Sequence, residues 1–258
     1  MVNAVKLSDK AKKRLFTLCA VVFWLGVWQA AAMIINKSLI LASPVEVIGR
    51  LFTLVPEESF FPSVLFSLGK IMLGFLLGTV TGVLFAVLAG KLVFFEKLFS
   101  PLIAAVKAVP VASFTILALI WISSADLSVL ITFLIAVPVV YSNVFEGMRA
   151  FDPKLTEMAN VFRIPRSRRF FGIYLSQIMP YFRSAVKLAV GLCWKSGVAA
   201  EVIGTPKGSI GEKLYNSKVY LETADLFAWT LVIIILSLIT EKLILLIIDI
   251  AAKRIEKI

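Results

Sequence analysis

Two ionisable residues interrupt a long apolar run in the last third of the sequence. Lys195 lies between Trp194 and Ser196, and Glu201 follows six residues later. At 3.6 residues per turn this spacing separates Lys195 from Glu201 by about 240° around a helix, so the two do not pair with each other. A charge inside a membrane helix usually faces the protein interior or a wet cavity. Lys195 therefore either attracts an anion along a transport pathway or forms a buried pair with a neighbouring helix or a second copy of the chain.

Polar residues near two prolines are further candidates for the same pathway. Lys107 precedes Pro110, while Tyr141 and Asn143 follow Pro138. Prolines in membrane helices are tolerated where neighbours or water satisfy the freed carbonyl groups, so such a kink marks either a pathway or only a bend. The residues predicted to line a pathway are Trp194, Lys195, Ser196, Glu201, Tyr141 and Asn143.

The polar stretch 149–169 indicates a different activity, the docking of a partner. Asp152-Pro153 is typical of a helix start. The apolar residues that follow have the spacing of one helix face, at Leu155, Met158, Ala159 and Phe162. The helix should end at Ile164-Pro165, because a residue before proline is disfavoured in a helix. This amphipathic helix either covers the bilayer or the helix bundle, or inserts into a groove of a soluble partner.

Catalytic chemistry has no support in the sequence. Histidine is absent, and Cys19 and Cys193 lie in apolar runs without the spacing of a metal site. No GxxxxGK followed by Ser or Thr is present to cradle the phosphates of ATP, and the glycine-rich stretch 204–211 lacks the Lys-Ser/Thr pair. We therefore predict no catalytic residue, metal or cofactor in this chain, so the energy for transport must come from a separate ATPase or an ion gradient.

The composition is that of an integral membrane protein. Of 258 residues, 60% are apolar and 17% are charged, against about 45–50% and about 25% in soluble domains. The apolar runs reach the roughly 20 residues that a membrane-spanning helix needs. We predict an all-α membrane protein with six spans, at about 15–35, 64–89, 102–122, 127–144, 178–203 and 226–248.

The distribution of Lys and Arg predicts the orientation in the membrane. Sixteen of these residues fall in the N-terminal segment, the tail and the loops after the second and fourth spans, and five fall on the other side. Because cytoplasmic loops are enriched in Lys and Arg, both termini and the loop 149–176 are predicted to be cytoplasmic. The chain then has a cytoplasmic segment 1–14, a membrane domain 15–250 and a cytoplasmic tail 251–258. The same bias explains the net charge of +11 without a nucleic-acid partner.

Two local patterns predict how elements begin and pack. Ser43-Pro44 followed by Glu46 forms a capping box, which predicts a short surface helix before the second span. In the second span, small residues recur every four positions, at Gly74, Gly78, Gly82, Ala86 and Gly90. One face of that helix should therefore let a neighbouring backbone approach closely.

The loop 149–176 resembles a pattern found in the permease subunits of ABC importers. Their cytoplasmic loop reads Glu-Ala-Ala, three residues, Gly, nine residues, then Ile, any residue and Leu-Pro. The residues of this chain in register with it are Glu157, Ala159, Ile173 and Leu175, whereas Met158, Arg163 and Ser176 replace Ala, Gly and Pro. With the six spans, the Ser43-Pro44 helix and the run WKSGVAAEVIG from Trp194, the chain resembles the branch that imports sulfonates, taurine, nitrate and thiamine-pyrimidine precursors.

This resemblance implies a type I ABC importer fold in the cytoplasmic membrane of a prokaryote. Two permease copies, as a homodimer, would form the pathway for a small anionic organic solute or a thiamine-pyrimidine precursor. ATPase subunits would bind ATP and Mg, and an external solute-binding protein would deliver the solute. The residues implied to couple to the ATPase are Leu155, Glu157, Met158, Ala159, Phe162 and Arg163. Arginine adopts the left-handed turn that glycine supplies only reluctantly, and Pro165, two residues later, can make a different turn, so these departures leave the geometry of the loop and the choice of ATPase open.

An ion-gradient-driven secondary transporter is the alternative. Such a protein needs intramembrane carboxylates near the bilayer midplane, ideally in two related halves. Only Glu201 and Glu241 lie well inside the predicted spans, and no internal repeat is apparent. The sequence therefore favours the ATP-driven importer.

Overall fold

The computed structural model describes residues 2–255, and side chains at 12, 16–165 and 168–253. Within this part of the chain there are helices and connecting turns and no strand, which confirms the predicted all-α class. The helices are α1 (Val2–Ile35), α2 (Pro44–Leu54), α3 (Phe60–Lys91), α4 (Val93–Ala108), α5 (Val111–Ala118), α6 (Ser124–Arg149), α7 (Pro153–Val161), α8 (Arg166–Arg169), α9 (Ser176–Gly204), α10 (Ile210–Val219) and α11 (Thr223–Ile255). A π-helical segment, Phe170–Leu175, joins α8 to α9.

Four stretches in the described residues are long and apolar enough to cross a membrane. They are Phe16–Ile35, Phe60–Lys91, Ser124–Arg149 and Thr223–Lys253, and the pair α4 and α5 gives a fifth if it is counted as one span. The span predicted at 178–203 corresponds to α9, which has 29 residues but carries Arg183, Lys187, Lys195 and Glu201. Length and apolarity therefore identify four or five spans where the sequence predicts six.

The span predicted at 102–122 is broken at Val109-Pro110. Val109 ends α4 in an extended conformation, with ψ 125°, and Pro110 directly precedes α5. A residue before proline is pushed out of the helical region, so the chain turns here. The axes of α4 and α5 differ by 96°. By contrast, Pro138 lies within α6 and does not end it.

The chain divides into two compact units, of which the first comprises Met1–Phe60 and Lys213–Leu231. Its helix α2 begins with the predicted capping box. The Ser43 hydroxyl accepts a hydrogen bond from the Glu46 amide at 3.3 Å, and the Glu46 carboxylate accepts one from the Ser43 amide at 2.8 Å. On the same helix, the Arg50 guanidinium donates to the carboxylates of Asp225 and Glu57. The hydrogen bond with Asp225 is the main cause that raises the pKa of Arg50 above its ordinary value.

The second unit comprises Phe61–Glu212 and Val232–Ile258. In this unit the glycines of α3 lie against the backbone of α6. A Cβ added at Gly74 would lie 2.3 Å from the Val129 carbonyl oxygen, and one at Gly82 would lie 2.9 Å from that of Val137. Ala86, on the same face, is fully buried. The predicted small-residue packing face is therefore confirmed, and it positions α6 for the candidate sites described next.

Candidate functional site

The amphipathic helix expected in the loop 149–176 is α7, Pro153–Val161. It starts as the sequence predicts, because the Asp152 carboxylate accepts a hydrogen bond from the Lys154 amide at 2.9 Å and Pro153 occupies the first turn. A carboxylate at this position satisfies a backbone N–H that has no partner within the helix. The start of α7 is therefore fixed locally.

The end of α7 is a left-handed turn centred on Arg163, whose φ is +49°. The Ile164 amide donates to the Ala159 carbonyl at 2.9 Å, and the Arg163 amide donates to the Asn160 carbonyl at 3.1 Å. This pair of bonds is the Schellman arrangement, in which glycine usually occupies the left-handed position. The left-handed turn that glycine would supply is therefore present at Arg163, because the backbone bonds hold arginine in the conformation that glycine adopts more easily.

We expect Arg163→Gly to stabilise the end of α7. A non-glycine residue in the left-handed region costs about 1–2 kcal/mol, of which part is offset by the greater freedom of glycine in the unfolded chain, so a net gain of about 0.5–1 kcal/mol remains. Hydrogen exchange of the α7 amides should slow accordingly. Arg163→Ala removes the same charge but keeps the unfavourable backbone conformation, so slower exchange in that variant as well would contradict the explanation.

The apolar face of α7 is divided between the protein and solvent. Ala159 is buried with 1% of its surface exposed, whereas Met158 is 40% exposed and Phe162 is 73% exposed. Val161, which the sequence analysis did not select, is 78% exposed. Val161 follows Met158 by three residues, and this helical spacing could have identified it as part of the same face. Leu155 is half-buried and Glu157 is exposed. The helix thus packs by one edge and presents an uncovered apolar edge, Met158, Val161 and Phe162.

Contacts from α8 and from the π-helical segment that follows it hold α7 and the residue Phe151 before it in place. The Phe151 ring stacks on the Tyr174 ring with their centroids 4.6 Å apart. The Arg169 guanidinium donates to the Asn160 side-chain oxygen at 2.7 Å and lies 5.7 Å from the centre of the Tyr174 ring. A hydrogen bond with Thr156 is the first cause that lowers the pKa of Tyr174 from its ordinary value. The exposed edge of α7 therefore lies on a loop that these contacts hold in place.

The pathway candidates on α9 point in different directions. Trp194 is buried, and its indole N–H donates to the Thr240 hydroxyl at 2.8 Å. Lys195 is exposed and has no hydrogen bond or ion pair within the part of the chain that the structure describes. Ser196 is half-buried. Of these three residues, Lys195 has the side chain that a solute or a second chain could reach.

Glu201 lies in a buried network that joins α3, α9 and the start of α10. Its carboxylate accepts hydrogen bonds from the Ser67 hydroxyl at 2.6 Å and from the Gly211 amide at 3.3 Å. The Ser67 hydroxyl also accepts one from the Ile210 amide at 2.9 Å. The first amides of a helix lack partners within it and attract negative charge. Here the Glu201 side chain is a buried hydrogen-bond acceptor at the first turn of α10, where it holds the stretch 204–211 in place.

Replacing Glu201 by leucine should destabilise the protein by about 2 kcal/mol, because it leaves the Ser67 hydroxyl and the Gly211 amide without their acceptor. Glu201→Gln should cost less, since its amide oxygen still accepts one of these bonds. The thermal midpoints of the purified variants measure this order. A role in contacting solute would instead give a Glu201→Gln protein of unchanged stability that fails to transport.

An open cavity of about 530 Å³ lies between α4 and α6. Tyr141, a predicted pathway residue, forms part of its wall, whereas the Asn143 amide donates to the Val139 carbonyl at 2.8 Å. The Lys107 ammonium donates to the Ser142 hydroxyl at 2.7 Å. Arg149 pairs with Glu96 at 2.5 Å. The cavity therefore combines a tyrosine and a lysine that the sequence had placed in separate runs.

No cluster of three or more His, Cys, Asp or Glu side chains suited to a metal occurs in the described part of the chain. Two features of the described residues are therefore suited to a function. The exposed edge of α7 can bind a protein, and polar surfaces on α4, α6 and α9 can contact a solute. Neither arrangement presents a nucleophile with a paired base.

The known proteins to which this chain is similar are all named as components of transport systems. A family model described as "binding-protein-dependent transport system inner membrane component" matches residues 78–257. The putative aliphatic sulfonates transport permease protein SsuC of Bacillus subtilis is 26% identical over 84% of this chain and 79% of its own length. The nitrate import permease protein NrtB of Synechococcus elongatus is 24% identical over 78% and 75%. The formylaminopyrimidine transport permease protein ThiX of Halalkalibacterium halodurans is 24% identical over 70% and 73%.

Proposed function

Since the chain belongs to the family of binding-protein-dependent transport system inner membrane components, we propose that it forms the solute pathway of an ATP-driven importer whose ATPase docks on α7. It is a multi-pass permease of an ABC importer in the inner membrane and acts in transport rather than as an enzyme. The family works with ATPase and solute-binding-protein partners. The match over residues 78–257, which includes α7, is the observation that carries the proposal.

The exposed edge of α7 supports its role as the ATPase contact. Val161 and Phe162 are more than 70% exposed, although α7 is held by the hydrogen bond from Arg169 to Asn160 and is preceded by the Phe151 ring stacked on Tyr174. Large apolar side chains that form a patch on a rigid element mark an interaction surface. An amphipathic helix laid in a groove buries such a patch. The coupling residues are then Met158, Val161 and Phe162 at the contact, Leu155 and Ala159 beneath it, and Glu157 and Arg163 at its margins.

The exposed Lys195 supports assembly as a homodimer around the pathway. A lysine at the centre of a membrane helix costs about 2.5–3.5 kcal/mol in lipid, and α9 is 29 residues long with Lys195 away from either end. Its neighbour Gly191 leaves open space, with no atom within 4 Å of an added Cβ. A second copy facing α9 across a wet pathway would remove Lys195 from lipid. Lys195 and the half-buried Ser196 are then lining residues, while Trp194 and Glu201 position α9 from behind.

The orientation follows from the docking site. If α7 meets an ATPase, the loop 149–176 lies in the cytoplasm. The excess of Lys and Arg on the same side supports a cytoplasmic location of both termini as well. ATP and Mg are bound by the partner subunit, and this chain contributes no cofactor site.

The solute is proposed to be a small anion, such as a sulfonate or nitrate, or a thiamine-pyrimidine precursor. The names of the relatives support this range, since they specify aliphatic sulfonates, nitrate and formylaminopyrimidine, and others specify bicarbonate. The comparisons give no support to an ion-gradient-driven transporter.

The decisive experiment is a mild-detergent purification of the tagged chain from its own cells, with identification of all co-purifying proteins by mass spectrometry. We expect a P-loop ATPase in equal stoichiometry with the permease. A chain that purifies alone, and remains alone after crosslinking in membranes, would overturn the proposal.

A further inference from the structure

We propose that Lys107 and Ser142, in the cavity between α4 and α6, bind the anionic group of the transported solute. This inference rests on the proposed transport function and adds to it a site and a ligand chemistry. The cavity has a volume of about 530 Å³. At its wall the Lys107 ammonium lies 2.7 Å from the Ser142 hydroxyl, so one cation and one hydroxyl converge on the same point.

The charges around the cavity leave Lys107 without a carboxylate partner. Four other ionisable side chains line the wall: Glu96, Tyr141, Glu146 and Arg149. Glu96 and Arg149 neutralise each other, with 2.5 Å between the closest atoms. Glu146 is exposed and, among the described residues, forms no ion pair with Lys107. The positive charge of Lys107 is therefore available to an incoming anion.

Lys107 also lies deeper along the helices than the other charges. Its partner Ser142 is seven residues before Arg149 on α6, which corresponds to about 10 Å of helix, and Glu146 lies between them. Lys107 is in the last turn of α4. The partial negative charge at the C-terminal end of a helix stabilises a cation but does not neutralise it. Lys107 is exposed and has no carboxylate partner among the described residues, and a cation in a cleft with low-dielectric walls raises the local concentration of anions.

The Ser142 hydroxyl adds direction to this attraction. It accepts the hydrogen bond from Lys107, and a hydroxyl rotates to donate its own hydrogen to a third group. An oxyanion placed beside both side chains would receive one charge-assisted hydrogen bond from the ammonium and one from the hydroxyl. Oxyanions with several acceptor oxygens, such as sulfonates and carboxylates, match this pair.

The test compares two thiol reagents of opposite charge at a reporter cysteine beside Lys107. In a chain carrying Cys19→Ser and Cys193→Ala, Ala104→Cys places a thiol on the cavity wall, three residues and one helix turn from Lys107. The probes are methanethiosulfonates that carry either an ethylsulfonate anion or an ethyltrimethylammonium cation. Using the ratio of their two rates cancels any effect of Lys107 on the reactivity of the thiol itself. Ser38→Cys, on an exposed loop, is the matched reporter.

We expect the ratio of anionic to cationic labelling at Ala104→Cys to exceed that at Ser38→Cys severalfold. Lys107→Gln should lower the ratio at Ala104→Cys about tenfold, and Lys107→Arg should preserve it, as expected for one nearby elementary charge at intermediate dielectric. The ratio at Ser38→Cys should not change. If Lys107→Gln does not fold, the comparison of the two reporters with Lys107 intact decides the question.

Equal ratios at the two reporters would overturn the anion site. A ratio at Ala104→Cys that does not change in the Lys107→Gln variant would overturn it as well. So would an Ala104→Cys thiol that neither reagent reaches. The same preparations show whether the ATPase co-purifies. Its presence with a failed charge test rejects only the Lys107 site, whereas its absence, also after crosslinking in membranes, rejects the proposed function.

Discussion

Phe162→Asp is expected to abolish ATPase coupling while the permease still folds and inserts. Phe162 is 73% exposed at the end of α7, so the folded chain loses little when the ring is removed. In the complex the same ring would be buried, and removal of a buried aromatic anchor typically costs 2 kcal/mol or more. An unpaired carboxylate in that apolar contact adds a further penalty. We expect the affinity for the ATPase to fall at least about 30-fold, measured by co-purification and by solute-stimulated ATP hydrolysis.

The matched control is Tyr220→Asp. Tyr220 is exposed to the same degree, 72%, and follows α10, away from the loop 149–176 in the sequence. It should leave ATPase binding unchanged. Full coupling in the Phe162→Asp protein, or equal loss in both variants, would remove α7 as the ATPase contact. These exposed positions test docking more cleanly than Ala159→Asp, which would put a charge at a buried residue and disturb the loop itself.

Gly74→Ala is expected to prevent assembly of the membrane domain. The added Cβ would lie 2.0 Å from the Thr132 hydroxyl oxygen and 2.3 Å from the Val129 carbonyl oxygen. The second contact is with helix backbone, which cannot move aside as a flexible side chain can. Overpacking in well-packed interiors costs about 1–3 kcal/mol, and overlaps with backbone cost more. We expect little monodisperse protein in size-exclusion chromatography and a large drop in its thermal midpoint.

Gly69→Ala gives the opposite expectation on the same helix. A Cβ at Gly69 meets no atom within 4 Å, and alanine is favoured over glycine in a helix by up to about 1 kcal/mol. Gly69→Ala should therefore be neutral or stabilising. Similar behaviour of the two variants would contradict the role of the α3 glycines in admitting the backbone of α6.

Patterns that depend on neighbouring residues in the chain could be predicted from the sequence. The capping box at Ser43, the start of α7 at Pro153 and the glycine face of α3 all follow from local chemistry or helical spacing. The break of the third predicted span at Pro110 also follows from the sequence, since proline disfavours a helical residue before it, but proline does not fix the 96° angle between the flanking helices.

Features that depend on contacts between distant residues could not be predicted. The partners of Glu201 include Ser67, which lies 134 positions away. Lys107 and Ser142 are 35 residues apart, so their meeting needs the packing of α4 on α6. Arg163 illustrates a different limit of prediction from the sequence. Its residue type argues against a left-handed turn, but the two backbone hydrogen bonds at the end of α7 outweigh that preference.

The charges along α9 have a consequence for how the protein is made. Arg183 pairs with Asp249 at 2.7 Å and Lys187 lies 4.0 Å from Glu241, both on α11, while Glu201 is bound by Ser67 on α3. When α9 leaves the ribosome, the part of α11 that carries its acidic partners has not yet emerged. Lateral release of α9 into lipid at that moment would expose unpaired charges. We expect α9 to wait at the translocon and to enter the bilayer together with α11, so that a chain ending before α11 is held back and degraded.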